Sequence, residues 1–392
     1  MTNRVNVEEV SHPDGRVIVF VIPSRPIGTP LHVKGAYLMH SGEALVPMSQ
    51  DQLKRIFEEA RPDWLTQIAL ANLSVENVVD LLDTQKIFEL LNLPYPESPD
   101  VIVDRLLSLG LVTAANSAWS ITNLGAIIGA RKLSSFPPSI ALRKPRFILY
   151  SGSSKVSTIR EFELDRGLAV GFQEIVVVVL EASPLNRVLE EVVRVPVKVF
   201  QPQSIRELIA NSFVHQDFTI EGSRVMIEMY SDRVEISNPG LPSIEISRFI
   251  DGWKSRNESL ADLMRRMGIC EEKGSGVDKV VSAAEALQLP APKFLISDSR
   301  TISILFAPRD FSRMSRADRL RACYQHCVLR YVMRQPMTNQ SLRERFGLDA
   351  RSSGVVSDII SATKNEGLIA QEPGSTTSTR YAQYIPSWAV SL

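Results

Sequence analysis

The chain has 392 residues, enough for two to four domains at roughly 100 to 200 residues each, and its 44% hydrophobic content excludes disorder as a description of the whole. Lysine plus arginine and aspartate plus glutamate both total 44, so the formal net charge is zero and no global field draws the protein to nucleic acid or membrane. The longest apolar run, residues 175–180, falls far short of the ~20 residues of a membrane helix, the start of the chain lacks a signal peptide's apolar core, and three late cysteines (Cys270, Cys323, Cys327) fit a reducing compartment; the chain reads as soluble and cytoplasmic, with no membrane partner.

In chain order, residues 16–21 and 36–39 alternate like β-structure around the breakers Pro23, Pro26, Gly28 and Pro30, and residues 49–60 predict a helix. Short helices follow at 75–82, 84–91 and 98–109, then a small hairpin over 111–122, the layout of a winged helix or of a plain helical connector. Strand signals return at 146–152, and residues 168–180 mix helix and strand signals. Residues 202–215 form a well-signalled helix, with Pro202 suited to its first turn and Ile205, Leu208, Ile209 and Phe213 on one side. A hairpin over 224–230 and 233–237 carries Val225, Ile227 and Met229 on one face and ends in a turn at Asn238, Pro239 and Gly240. A helix at 277–287 and a strand at 301–306 complete this part.

From residue 309 the composition changes: residues 309–351 hold ten arginines, no lysine and four acids, a net charge of +6. Helices at 317–333, 340–346 and 353–365 followed by a hairpin over 367–369 and 379–385 are in winged helix-turn-helix order, whose second motif helix enters a major groove. Arg351, Ser353, Ser357 and Lys364, with Arg380 in the wing, are the candidate contacts to double-stranded DNA; the same fold also serves as a protein-interaction module, with the arginines as a solvated face. Cys323, His326 and Cys327 share one helical turn, but structural zinc sites rarely take three ligands from one turn and no fourth ligand is apparent, so packing is the expected role of the cysteines.

Glu207 and Asn211, four apart, project from one helix face, and His215 continues the row. Alone, such a pair is an ordinary solvated face. Here it precedes a strand-terminal turn and then Gly274, Ser275 and Gly276 at a helix start, where glycines let backbone amides approach an anion. The segments RELIANSFVHQDF (206–218), DRVEISNPGLP (232–242) and SRNESLADLMRRMGICEEKGSGVDKV (255–280) closely resemble a bacterial family that joins a Schlafen-type, AlbA-like domain to a divergent GHKL ATP-binding domain. Its members are described as transcriptional regulators or RecG-helicase-related proteins. The resemblance is most specific over 202–290 and weaker over nearly the whole chain.

That resemblance implies an α+β multidomain chain: a partial AlbA-like α/β domain (1–60), a winged-helix-like segment (61–140), a GHKL, Bergerat-type α/β sandwich (141–310) and a winged helix-turn-helix domain (311–392). By position it makes Asn211 the ligand of a phosphate-bound magnesium, an amide oxygen being a hard donor, and Glu207 the group that orients or deprotonates an attacking water. Asn238 stands where the wider class has an aspartate that accepts from the adenine amino group; an amide still accepts that bond but without the charge. Gly240 would make room for the base, Gly274, Ser275 and Gly276 would cradle phosphates, and Arg256 and Asn257 would belong to a lid. Residues 1–60 resemble only the back half of the AlbA-like domain, without the front half that carries acidic residues in nuclease-active relatives, so nuclease activity is disfavoured. The expected function is ATP- and DNA-binding regulation with at most slow ATP hydrolysis. The alternative is a non-catalytic scaffold of a mobile-element or phage-defence system that holds a partner protein or another copy of itself.

Overall fold

A computed structural model of the chain describes residues 6–12, 15–21, 25–26, 28–41, 44–58, 63–115, 118–190, 193–252, 254–271, 276–375 and 382–390. It divides into two compact units, Met1–Asp63 and Trp64–Leu392.

In the first unit, β1 (Asn6–His12) and β2 (Gly15–Val21) form an antiparallel hairpin, and β3 (His32–Val33), β4 (Ala36–Ser41) and β5 (Ala44–Pro47) form a three-stranded antiparallel sheet. Helix α1 (Gln50–Glu58) starts where the sequence signals it, because Ser49 and Gln52 exchange backbone and side-chain hydrogen bonds in a capping box.

The second unit opens with β6 (Ile68–Leu73), α2 (Val75–Leu81), α3 (Thr84–Leu90), α4 (Pro99–Ser108), β7 (Val112–Ala115) and β8 (Ala118–Thr122), the strands pairing in the order β6-β8-β7. Ser74 and Asp83 cap α2 and α3, so the tight succession of short helices is written in their capping residues. Helices α5 (Asn123–Gly129) and α6 (Pro138–Ala141) lead into β9 (Arg146–Tyr150), β10 (Thr158–Glu163), α7 (Phe172–Ala182) and a hairpin of β11 (Leu185–Glu190) and β12 (Val193–Lys198). The mixed signals of 168–180 resolve as the helix α7. Its β-branched run favours a strand by propensity, but Phe172, Ile175, Val176 and Val179 recur at helical spacing and are buried, and packing decides.

Next come α8 (Pro202–His215), β13 (Met226–Met229), β14 (Arg233–Pro239), α9 (Glu258–Arg266), α10 (Gly276–Ala286), β15 (Lys293–Ser297) and β16 (Arg300–Phe306). A six-stranded mixed sheet, ordered β10-β9-β13-β14-β16-β15, runs through this part, with β9 and β13 parallel and the other neighbours antiparallel. Helices α7, α8 and α10 pack with it around one continuous apolar core. The expected turn at 238–240 comes two residues late: β14 runs through Pro239, pairing Asn238 with Thr301 and Pro239 with Arg300. Strand β13 begins opposite Ser237, so the other flank of Pro239 is free to accept a hydrogen bond from the Asp217 amide, and the missing proline N–H interrupts no ladder.

The chain ends with α11 (Arg316–Val332), α12 (Asn339–Arg345), α13 (Ser353–Asn365) and the hairpin β17 (Ile369–Gln371) and β18 (Tyr384–Pro386). Cys323 and Cys327 sit in this part's core with Met337, Leu342 and Val356. Three of its side chains donate to carbonyls of the segment that follows α10: Arg345 to Leu289, Arg321 to Ala291 and Gln325 to Pro292. Among the described residues no helix is long and apolar enough to cross a membrane.

Candidate nucleotide site

Helix α8 is wedged between α7, α10 and β14, and nine of its fourteen residues are buried, more than a single apolar stripe supplies. Its row of Glu207, Asn211 and His215 lines one cavity of about 140 Å³, together with Asn238 of β14 and Gly276 of α10. A void of roughly 150 Å³ accommodates one aromatic ring. The remaining walls are mixed: Ile244, Phe249 and Phe294 supply apolar surface, while Lys254, Ser255 and Arg265 bring polar and cationic groups.

Gly276 sets the closeness of α8 and α10. A Cβ there would lie 2.8 Å from Glu207 Oε2 and 3.4 Å from Asn211 Nδ2, so the first turn of α10 faces the carboxylate and amide directly. Burial pushes the Glu207 carboxyl above its ordinary range and the charge of Glu271 adds to this, while Lys279 and Arg206 pull it back. A carboxyl so raised is better suited to accept a proton near neutral pH than a solvated one.

His215 is held neutral: burial, then the charge of Arg256, lowers it to about 4. Since its ordinary value is 6.5, the unfolded chain binds this proton between pH 6.5 and about 4 while the folded chain does not. This contribution to stability is complete above pH 6.5 and is lost as pH falls towards 4. Chemical denaturation of His215→Gln is expected to show a shallower loss of stability across that window than the parent; an unchanged slope would contradict the assignment.

Asn238 is 6% exposed, and its Nδ2 donates to the His215 and Pro239 carbonyls at 3.3 and 3.2 Å. Those bonds fix the flip of the amide and leave Oδ1 as the atom it can offer a ligand. Gly240 does not line the cavity. Its φ of +101° and the 2.7 Å from a built Cβ to the Asp217 Cβ mean that it makes room for Asp217. Arg256 and Asn257 also lie outside the lining. Arg256 holds Asp217 and the Leu241 carbonyl, and Asn257 donates to the Val214 and Gln216 carbonyls at the end of α8, clamping that end to α9. Gly274 and Ser275 fall outside the described residues. Lys254, Ser255, Arg265, Cys270, Phe249 and Phe294 are cavity residues that the sequence did not single out. They come from the segments between β14 and α9 and after α9, from α9 itself and from β15, without a shared periodicity.

In the C-terminal part, Arg351 is 92% exposed in its side chain and paired with Asp349, Lys364 is exposed, and the Ser353 carbonyl and Ser357 hydroxyl both accept from Asn339. Arg380 falls outside the described residues. A second constellation looks like hydrolase chemistry: His326 Nδ1 lies 3.0 Å from Glu285 Oε2 and Nε2 lies 3.0 Å from Ser341 Oγ. Ser341, however, is buried and makes three further bonds with Thr338, two of them the capping box of α12 and the third from its hydroxyl to the Thr338 carbonyl. Its hydroxyl ties α11 to the start of α12, with His326 passing the link on to Glu285 of α10, and is not a nucleophile facing a cleft. Among the described residues no His/Cys/Asp/Glu group is arranged to hold a metal on its own.

Residues 222–306 match the family described as "Putative ATP-dependent DNA helicase recG C-terminal". The match supports a divergent ATP-binding family and an ATPase-type domain over β13 to β16; α8, with Glu207 and Asn211, lies just before it. No curated protein matches the chain. Among solved structures, that of the DIP2311 protein from Corynebacterium diphtheriae is similar in fold, with a TM-score of 0.53 at 15% identity over 97% of this chain and 76% of that one.

Proposed function

We propose that the protein binds ATP with magnesium in the cavity between α8 and α10, in the cytoplasm, and that residues 311–392 are a winged helix-turn-helix domain bound to duplex DNA. Nucleotide state then alters how this domain is held. The observation that carries the nucleotide half is the convergence of Glu207, Asn211 and the bare backbone of Gly276 on one cavity beside an ATPase-type domain. Asn211 offers magnesium one hard oxygen, in keeping with an ion that keeps its waters and takes further ligands from phosphates. When bound, the ion neutralises phosphate charge. The residues of the chain hold the nucleotide: Asn238 Oδ1 accepts from an amino group on the base, and Glu207, raised by burial, takes a proton from water in a slow hydrolysis. The first unit corresponds to the partial AlbA-like domain, residues 61–140 to a winged-helix-like segment and 141–310 to the GHKL sandwich. Titration calorimetry of the intact chain with ATP and magnesium is expected to give a saturable isotherm. No binding at millimolar ATP would end this reading.

A second reading, a scaffold that holds partner proteins or its own copies in a mobile-element or phage-defence system, draws on the arginines. Arg309, Arg316, Arg319, Arg321, Arg330, Arg343, Arg345 and Arg351 all have partners within the chain. Arg309, Arg316, Arg321 and Arg351 pair with the carboxylates of Asp318, Glu366 and Asp349, which offsets part of the positive excess, and the other four are held in place by neutral acceptors. A gel shift with a genomic fragment pool separates the two: DNA retained at low salt and released steeply as salt rises supports the regulator, and no retention supports the scaffold.

A further inference from the structure

One stretch of chain is a single layer thick between the cavity and the C-terminal part. Residues 245–252 turn so that Phe249 and Gly252 face the cavity, with Phe249 against Phe294 at a ring separation of 5.4 Å. The opposite side of the same stretch is gripped from outside. The Tyr324 hydroxyl of α11 donates to the Ser247 carbonyl at 2.7 Å, and Trp388 Nε1 donates to that hydroxyl at 3.3 Å. The Arg248 guanidinium lies 4.0 Å from the centre of the Trp388 ring and is tied to Asp251. Ile250, 5% exposed, packs with Val281 of α10 and with Val328 and Leu329 of α11. Gly252 completes the turn with a 2.6 Å bond from its amide to the Arg248 carbonyl, and a Cβ at 252 would lie 2.7 Å from that oxygen.

We propose that residues 245–252 are a latch through which the C-terminal part, by Tyr324 and Trp388, sets the order of the cavity wall and so the affinity of the cavity for its ligand. The wall has no sheet or long helix of its own; its only regular piece is the three-residue turn Ile246–Arg248. Its position depends on the groups that hold its outer side. With those groups in place Phe249 is already seated and the ligand meets a preformed wall. With them removed, the wall must be ordered at the moment of binding, which lowers affinity by the fraction of molecules that have it in place. Linkage runs both ways: a ligand that prefers the seated wall strengthens the hold on Tyr324 and Trp388 by the same factor. The identity of the ligand as ATP rests on the function proposed above; the latch itself does not.

The experiment uses the full chain and two variants, Tyr324→Phe, which removes only the hydroxyl, and Trp388→Ala. Gln325→Met serves as the control, since the Gln325 amide grips the Pro292 carbonyl and not the latch. Wall order is read without nucleotide from the rate at which a small maleimide modifies Cys270, a cavity residue, with the buried Cys323 and Cys327 as internal reference. Both latch variants are expected to label Cys270 several times faster than the parent, and calorimetry with ATP and magnesium to give affinities about fivefold weaker, with Gln325→Met unchanged in both. Unchanged Cys270 labelling in Tyr324→Phe and Trp388→Ala overturns the latch, as does faster labelling with unaltered affinity in a parent that binds ATP. A parent that ignores ATP while Cys270 labelling responds overturns the nucleotide reading and leaves the latch standing.

Discussion

Asn211→Ala is expected to weaken magnesium-dependent ATP binding tenfold or more while leaving the fold intact. The side chain lines the cavity one helical turn from Glu207, and no hydrogen bond from its amide holds another part of the described structure, so truncation removes a cavity-lining amide and little else. The loss should vanish when magnesium is chelated, because an amide that acts through the ion contributes nothing without it. Calorimetry of parent and variant with and without magnesium reads this directly, and an equal loss in both conditions would take Asn211 out of the metal role. Glu207→Gln is the complementary change: it keeps the shape and removes the proton acceptor. Bound nucleotide should be retained, with phosphate release reduced on the order of a hundredfold. The same rate in parent and variant would remove Glu207 from the chemistry.

The second large effect is on stability. Arg143 is 4% exposed and donates to four backbone carbonyls, those of Ser139, Phe218, Ile220 and Ser223, with its guanidinium 5.6 Å from the centre of the Trp64 ring. Those carbonyls belong largely to the loop between α8 and β13, whose own hydrogen bonds are few. Arg143→Met would leave the buried Phe218 carbonyl and three partly buried carbonyls without their donor, at about 3 kcal/mol for acceptors left unsatisfied. At roughly 2 to 4 °C per kcal/mol for a domain of 150 to 250 residues, the expected fall in melting temperature is on the order of 10 °C. Calorimetry checks it; a fall of less than a degree or two would mean that water replaces the guanidinium.

Most elements of the second unit, and the row on α8, were legible from local signals. Pro202 at the first turn, Ser74 and Asp83 before their helices, Thr338 before α12 and the alternating strands of the β13 and β14 hairpin all act through hydrogen bonds or sterics within a few residues, so the sequence carries them whole. The helical spacing of Glu207, Asn211 and His215 is likewise a property of one element. What failed to appear depended on partners far away in the chain. The valines of α7 look like a strand until the sheet and α8 are present to bury their helical face. Pro239 looks like a stop until β16 pairs with it and Asp217 takes its carbonyl.

The same division runs through the site. Asn238, Gly240, Arg256 and Asn257 are close in sequence to recognisable motifs, yet only tertiary packing separates them: Asn238 lines the cavity, Gly240 yields to Asp217, Arg256 holds Asp217 and the Leu241 carbonyl, and Asn257 clamps the end of α8. The positive excess of 309–351 is a fact of composition, and several arginines find partners inside the stretch, as Arg309 and Arg321 do at Asp318, whereas the hold of Arg345 on the Leu289 carbonyl and of Arg316 on Glu366 is supplied by the folded neighbours. The sequence by itself determined the elements with strong local signals, such as α8, α11, α13 and the β13 and β14 hairpin, and which chemical groups stand on one helix face, because backbone periodicity and capping act locally. Only the tertiary structure decided which groups share a cavity and which face of residues 245–252 meets Tyr324 and Trp388, because both depend on contacts between separate elements, the last joining segments more than seventy residues apart.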